Sequence, residues 1–217
     1  MNDLPRPAAF ESLESRDLVA LFNWLSAVFA TPPDRASIAS YRHGPAAAWL
    51  ESVASLPGCA EAVERMRCAL EADAEDALVA AQVGSAYGIL FEGIGGPRTV
   101  SPYESVHADG GRLFGAPAAA MEAILAAHDL SVAASAHEAP DHIAVELAAA
   151  ARLLAEGEPD ADAVIARLRG WVPAFAADCA AADANGFWAG AAAVVIAIVG
   201  LATRQPANAE IPNATKH

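Results

Sequence analysis

A chain of 217 residues, 55% of them apolar, has ample material for one packed core, and 27 Asp+Glu against 13 Lys+Arg leave it at a formal charge of −14. That charge repels phosphate backbones and anionic lipid, which argues against nucleic acid as a partner and favours a basic one. Aromatics make up only 6% while alanine is abundant, a composition for helices packed through small side chains.

The apolar periodicity predicts helices throughout. Ser15 caps the first, in which Leu18, Leu21, Phe22, Leu25, Val28 and Phe29 share one face. Thr31-Pro32-Pro33 stops it, and Asp34 caps a short second helix. Gly44-Pro45 and Pro57-Gly58 punctuate two more. Cys59 and Cys68 fall in apolar helical sequence and read as small core residues; with Cys179 they form no zinc or redox spacing, which points to reduced thiols in a cytoplasmic compartment. After Asp76 a helix carries Val79, Val83, Ala86 and Leu90 on one face, with Tyr87 and Phe91 beside it.

A loop from Gly93 to about Gly115 then breaks the pattern; loops of that length are usually functional or disordered, and its Pro, Tyr, Val and Phe point to packing against the domain. Ala116 to His128 is helical and Asp129 to His137 is a weak linker. Pro140 suits the first turn of the next helix, with Ile143, Leu147, Ala150 and Leu154 as its buried stripe and His142 and Glu146 together on its edge. Asp160 caps a helix holding Val164, Ile165, Leu168 and Trp171, which Pro173 kinks or ends. Asn185-Gly186 precedes a last helix whose uncharged run, Gly186 to Ala202, is short for a membrane span and reads as buried. The N-terminus shows no signal-peptide pattern. The expected architecture is all-α over residues 1–205, as one domain or two helical subdomains joined near 129–139, with 206–217 a flexible tail.

Polar chemistry collects in two places. The first is Gly96-Pro97 followed by Pro102-Tyr103-Glu104-Ser105-Val106-His107; the second is Glu138-Ala-Pro140-Asp141-His142, with Glu146 a turn later. The second set lacks H-E-x-x-H or a paired Glu-x-x-His helix, so no metal is expected. Gly93-Ile-Gly95-Gly96 follows a helix and not a strand, so it is no dinucleotide fingerprint. Taken singly, each residue has a structural use: Glu138 and Asp141 beside a helix N-terminus, His142 paired with Glu146, and Tyr103 plugging the core. Together they suit a groove that grips a peptide. The other reading is a small helical enzyme or nucleotide-dependent regulator built on Asp141, His142 and Glu146. A third is an assembly subunit whose acidic face holds a basic partner.

The sequence resembles the TorD/DmsD family of cytoplasmic redox-enzyme maturation chaperones and their NarJ-like relatives. Three pieces carry the resemblance: Tyr87 to Phe91 leading into Gly96-Pro97 and Pro102 to Val106, then Glu138 to His142 with Glu146, then Leu168 to Phe175. Tyr103 stands where the family often has Trp, and the proline of the second motif has moved to position 140. The resemblance implies an all-α fold, no enzymatic turnover, no cofactor, and binding to the N-terminal twin-arginine leader of a molybdopterin-containing oxidoreductase subunit. That subunit is held in its apo form until its cofactor is inserted, which delays export. Such a chaperone is a monomer or a domain-swapped dimer, for which Asp129 to His137 would serve as hinge. By carry-over, Pro102, Tyr103, Ser105, Asp141 and His142 line the leader site, and Glu104 and Glu146 join them on their own chemistry. Asp141 or Glu104 would take a leader guanidinium, Tyr103 would be its platform, Pro97 and Pro102 the stiffeners, and His142 would titrate near neutral pH.

Overall fold

Helix α1 (Ser15–Ala30) buries Leu18, Leu21, Phe22, Leu25, Val28 and Phe29 as its periodicity requires, together with Trp24. The computed structural model describes residues 13–71, 73–93, 96–108, 111–133 and 138–203. Within these follow α2 (Arg35–His43), α3 (Pro45–Ala54), α4 (Ala60–Leu70), α5 (Asp76–Phe91), a 3-10 turn (Gly96–Arg98), α6 (Glu104–Ala108), α7 (Ala116–Ala127), α8 (Ile143–Glu156), α9 (Asp160–Ala182) and α10 (Phe187–Ala202). Among the described residues there is no strand beyond one isolated bridge, so the all-α expectation holds.

Helix α10 is the hub. It packs against α4, α9, α1 and α5, while α1 lies along α8 and α8 along α9. Phe29 of α1, Tyr87 and Phe91 of α5, Phe175 of α9 and Trp188 of α10 form one aromatic cluster at ring separations of 5.1–6.1 Å. The Trp188 indole N–H is satisfied by the Val83 carbonyl at 3.1 Å. Where α4 crosses α10 the backbones almost touch: a Cβ on Gly190 would stand 2.6 Å from the Ala62 carbonyl oxygen. No helix among the described residues is long and apolar enough to cross a membrane.

Several local expectations shift. The first helix is closed by Asp17, whose carboxylate accepts the Glu14 backbone N–H at 2.8 Å, and not by Ser15, which is already helical. Asp34 caps α2 through the Ser37 N–H at 2.8 Å, as expected. Cys59 is buried but Cys68 is exposed, because α4 turns Val63, Met66 and Leu70 to the core and Cys68 away from it. Pro140 precedes α8 and does not enter its first turn, since His142 is the N-cap. Pro173 sits inside α9 without ending it. An interior proline costs about 3 kcal/mol, and the buried row Trp171, Val172, Phe175 and Ala176 around it offsets that. The long loop contains α6, packed on α9 and α7. Residues 94–95 of the glycine run, 134–137 of the proposed hinge, and the tail beyond 203 lie outside the described residues.

Candidate functional site

The two polar motifs meet backbone to backbone. Tyr103 and His142 form an antiparallel bridge. On either side of it the Glu104 N–H donates to the Asp141 carbonyl (3.0 Å) and the Ile143 N–H to the Pro102 carbonyl (2.8 Å). The second bond satisfies one of the free N–H groups that open α8. The Asp141 carboxylate turns the other way and accepts the Ser105 N–H at 2.9 Å, closing the start of α6. Asp141 and Ser105 are fully buried, and Asp141 Oδ1 and Ser105 Oγ have no hydrogen-bond partner.

His142 caps α8: its Nδ1 accepts the Ala144 N–H at 3.2 Å. Only an unprotonated Nδ1 can accept, which leaves the proton on Nε2, 4.0 Å from the Glu138 carboxylate. Burial pushes the His142 pKa below its ordinary 6.5, while Glu138 and Asp141 pull it up. The imidazole is therefore neutral at neutral pH, and the expected titration there moves to lower pH. The Tyr103 hydroxyl donates to the Glu138 carboxylate, and its ring meets the His142 ring edge-on at 5.0 Å. Burial, then Glu138, raises the Tyr103 pKa well above its usual value, so the phenol stays protonated as a donor.

Glu104 and Glu146 face inward. Arg167 of α9 pairs with Glu104, donates to the Pro117 carbonyl at 2.7 Å, and lies 3.8 Å from Glu146 Oε1. The other Glu146 oxygen accepts the Trp171 indole N–H at 3.0 Å. Trp171 in turn stacks on His107 of α6 (5.5 Å, 21° between planes), whose Nε2 meets the Ser101 carbonyl at 2.7 Å. Glu146 is fully buried, and burial raises its pKa well above 4.5, with Glu104 reinforcing the rise and Trp171 and Arg167 opposing it. The pairing of His142 with Glu146 does not form; the two side chains serve different partners.

Thus Pro102, Tyr103, Glu104, Ser105, Asp141, His142 and Glu146 converge on the junction of α6, α8 and α9, but Glu104, Ser105, Asp141 and Glu146 are all buried there. Glu104 is committed to Arg167, and Asp141 to the N-terminus of α6. Sequence reading missed Arg167, whose one signal is its place four residues before Trp171, on the same face of α9.

It also missed the cleft beside this junction. A cavity of about 490 Å³ runs along α8 from His142 past Ala144, Val145, Ala148 and Ala149 to Arg152. Ser26 and Ala30 of α1, with Thr31 just beyond it, form one wall, and Leu125, Leu130 and Val132 the other. Glu138 stands at the His142 end with its side chain 32% exposed. Arg152, at the far end, is exposed and pairs with Glu156 at 2.6 Å.

Residues 54–181 match the model of the family described as nitrate reductase delta subunit. A "Chaperone protein TorD" of Vibrio cholerae serotype O1 (strain M66-2) is 28% identical over 195 residues, covering 82% of this chain and 87% of that protein. The protein of the same name from strain ATCC 39315 is 32% identical over 111 residues, 45% of this chain and 50% of that one. No solved structure matches. These relatives are named as chaperones and not as enzymes. With more than half of its length inside the family model, and with the polar motifs joined across its helices, the chain belongs to the nitrate reductase delta subunit family.

Proposed function

We propose that this protein is a cytoplasmic maturation chaperone for a molybdopterin-containing oxidoreductase, and that it holds the apo-form of the catalytic subunit by its N-terminal leader until the cofactor is inserted. The observation that carries this reading is the cleft along α8, with an apolar floor of Val145, Ala148 and Ala149 and a polar end at Glu138 and His142. A leader of twin-arginine type offers the matching chemistry, a pair of guanidinium groups followed by an apolar segment. The net charge of −14 draws such a cationic segment in. In this reading Tyr103 and His142 shape the polar end, and Pro102, Ser105 and Asp141 hold those two in place from beneath. Glu104 and Glu146 act through Arg167 as support for α6 and α8.

The alternative, an enzyme or nucleotide-dependent regulator using Asp141, His142 and Glu146, has less support. Those three side chains point to three different partners: the Ser105 N–H, the Ala144 N–H and the Trp171 indole.

Affinity purification of the tagged protein from its native host, during molybdoenzyme expression, tests the proposal. Recovery of an unprocessed molybdoenzyme subunit that is lost when its leader is deleted supports it. Recovery that survives leader deletion places the contact elsewhere, and no such subunit at all sinks the chaperone reading.

A further inference from the structure

We infer that the cleft reads a leader in one direction only: a basic side chain docks on Glu138, and the apolar segment that follows it lies as a helix parallel to α8, ending at Arg152. This inference rests on the proposed leader-binding function and deepens it.

Three observations converge. The first concerns which carboxylate is reachable. Of the four in the two motifs, Asp141 and Glu146 are fully buried and the Glu104 side chain is 11% exposed against Arg167, whereas the Glu138 side chain is 32% exposed at the mouth of the cleft. Tyr103 donates to Glu138 Oε2, and His142 Nε2 lies 4.0 Å from the same oxygen. These contacts hold the carboxylate in place, so it meets an incoming guanidinium with little side-chain entropy left to lose.

The second concerns backbone chemistry. The floor and one wall are helices α8 and α1, whose backbone groups are bonded within their own helices. They offer no free strand edge, and the non-helical wall from Leu130 to Ala133 could pair one edge at most, so an extended peptide would bury unpaired N–H and C=O groups against Val145, Ala148 and Ala149. A helix satisfies its own backbone and needs only an apolar stripe, which those residues match with Arg152 at i, i+3, i+4 and i+7. From His142 to Arg152 the floor rises about 15 Å, room for roughly three turns of bound helix.

The third concerns polarity. The cleft is negative at Glu138 and positive at Arg152. Among the described residues Arg152 has one ion pair, an exposed one with Glu156, an interaction worth little in water. A bound helix places its positive N-terminal end at Glu138 and its negative C-terminal end at Arg152, contacts that must outweigh the repulsion from the parallel dipole of α8, whose N-terminus lies at His142. That is also the order in which a leader presents its charges, cations first and an uncharged run after.

The test compares two fluorescent peptides of one composition on the full chain: Arg-Arg followed by an uncharged Leu/Ala helix, and the same sequence reversed. Anisotropy titration is expected to show the forward peptide binding at least tenfold more tightly. Glu138→Gln, which keeps an acceptor for the Tyr103 hydroxyl, should weaken the forward peptide about tenfold at low salt, and Glu138→Arg should restore binding to a peptide opening with Glu-Glu. A nitroxide at the C-terminus of the forward peptide should broaden the amide signals around Arg152 more strongly than those around His142. Equal affinity for both peptides, indifference to Glu138→Gln, or stronger broadening at His142 than at Arg152 overturns the direction while leaving the leader site standing. Binding of neither peptide removes the cleft as the leader site and this inference with it.

Discussion

Arg167 and Glu104 form an ion pair that fastens α6 to α9, and the same guanidinium lies 3.8 Å from a second carboxylate, Glu146. One cation thus holds two acidic side chains and a carbonyl, that of Pro117, in a nearly dry junction. Replacing Arg167 by Ala leaves Glu104 buried with its charge uncompensated. The expected loss is about 3–5 kcal/mol in urea unfolding, the scale for breaking a buried pair from one side. Arg167→Lys should recover only part of this, because the shorter side chain must carry its ammonium to the point where Nη2 alone now meets all three acceptors. A loss under 1 kcal/mol for the alanine variant would mean that the junction is wetter than described.

Asp141 is a structural acid in the free protein. Its carboxylate caps α6 through Ser105 and has no exposed surface. Asp141→Ala should therefore cost about 1–2 kcal/mol of stability through the lost cap. It should also raise amide exchange at Glu104 and Ser105. Asp141→Asn, which keeps an acceptor, should cost less; equal losses would show that charge and not the hydrogen bond matters.

Glu146 gives stability a dependence on pH. Burial lifts its pKa in the folded protein above 4.5, so just above that value the folded chain keeps a proton that the unfolded chain has released. Its contribution is full below 4.5 and is lost as pH rises through the folded-state pKa. Glu146→Gln, still able to accept from Trp171, should flatten this part of the curve and cost about 1 kcal/mol or less below it. Denaturant midpoints across the range check this, and an unchanged slope would sink the assignment.

His142 acts in the opposite sense. Its folded pKa lies below 6.5, so as pH falls through 6.5 the unfolded chain takes up a proton that the folded one refuses, and stability drops. His142→Asn keeps a helix cap and does not titrate. It should remove that acid-side slope while changing stability at neutral pH by about 1 kcal/mol at most.

Gly190→Ala tests the crossing of α4 and α10. The added methyl would meet the Ala62 carbonyl oxygen at 2.6 Å, a backbone atom that cannot rotate aside. The helices must separate, at a cost of about 1–3 kcal/mol. Gly200→Ala on the same helix meets nothing within 4 Å and should be neutral or stabilising, which makes it the control.

The helices were legible because their apolar spacing is set locally: the six residues assigned to the core face of α1 are all buried. The two polar motifs were legible as unusual, and the structure joins them. What remained hidden was partner choice across the chain. Nothing near Glu104 announces that its cation stands on α9, 63 residues away. Without Arg167 in view, Glu104 and Asp141 read as surface acids awaiting a ligand, when their charge and hydrogen bonds are spent on holding α6. That α9 runs on through Pro173 was hidden for a related reason, since a proline's local cost is visible in sequence and the packing that offsets it is not. The cleft along α8 has no sequence signature because three separated segments enclose it.

Helix α10 supplies the surface that α1, α4, α5 and α9 share, and it is the last of the described helices to be synthesised. Until Trp188 and Val195 have left the ribosome, the apolar faces of those four helices have no common partner. The part of the core that α10 fills must therefore close last, and nascent chains stalled before residue 187 should be protease-sensitive at α4 and α9, whose most extensive packing is against α10.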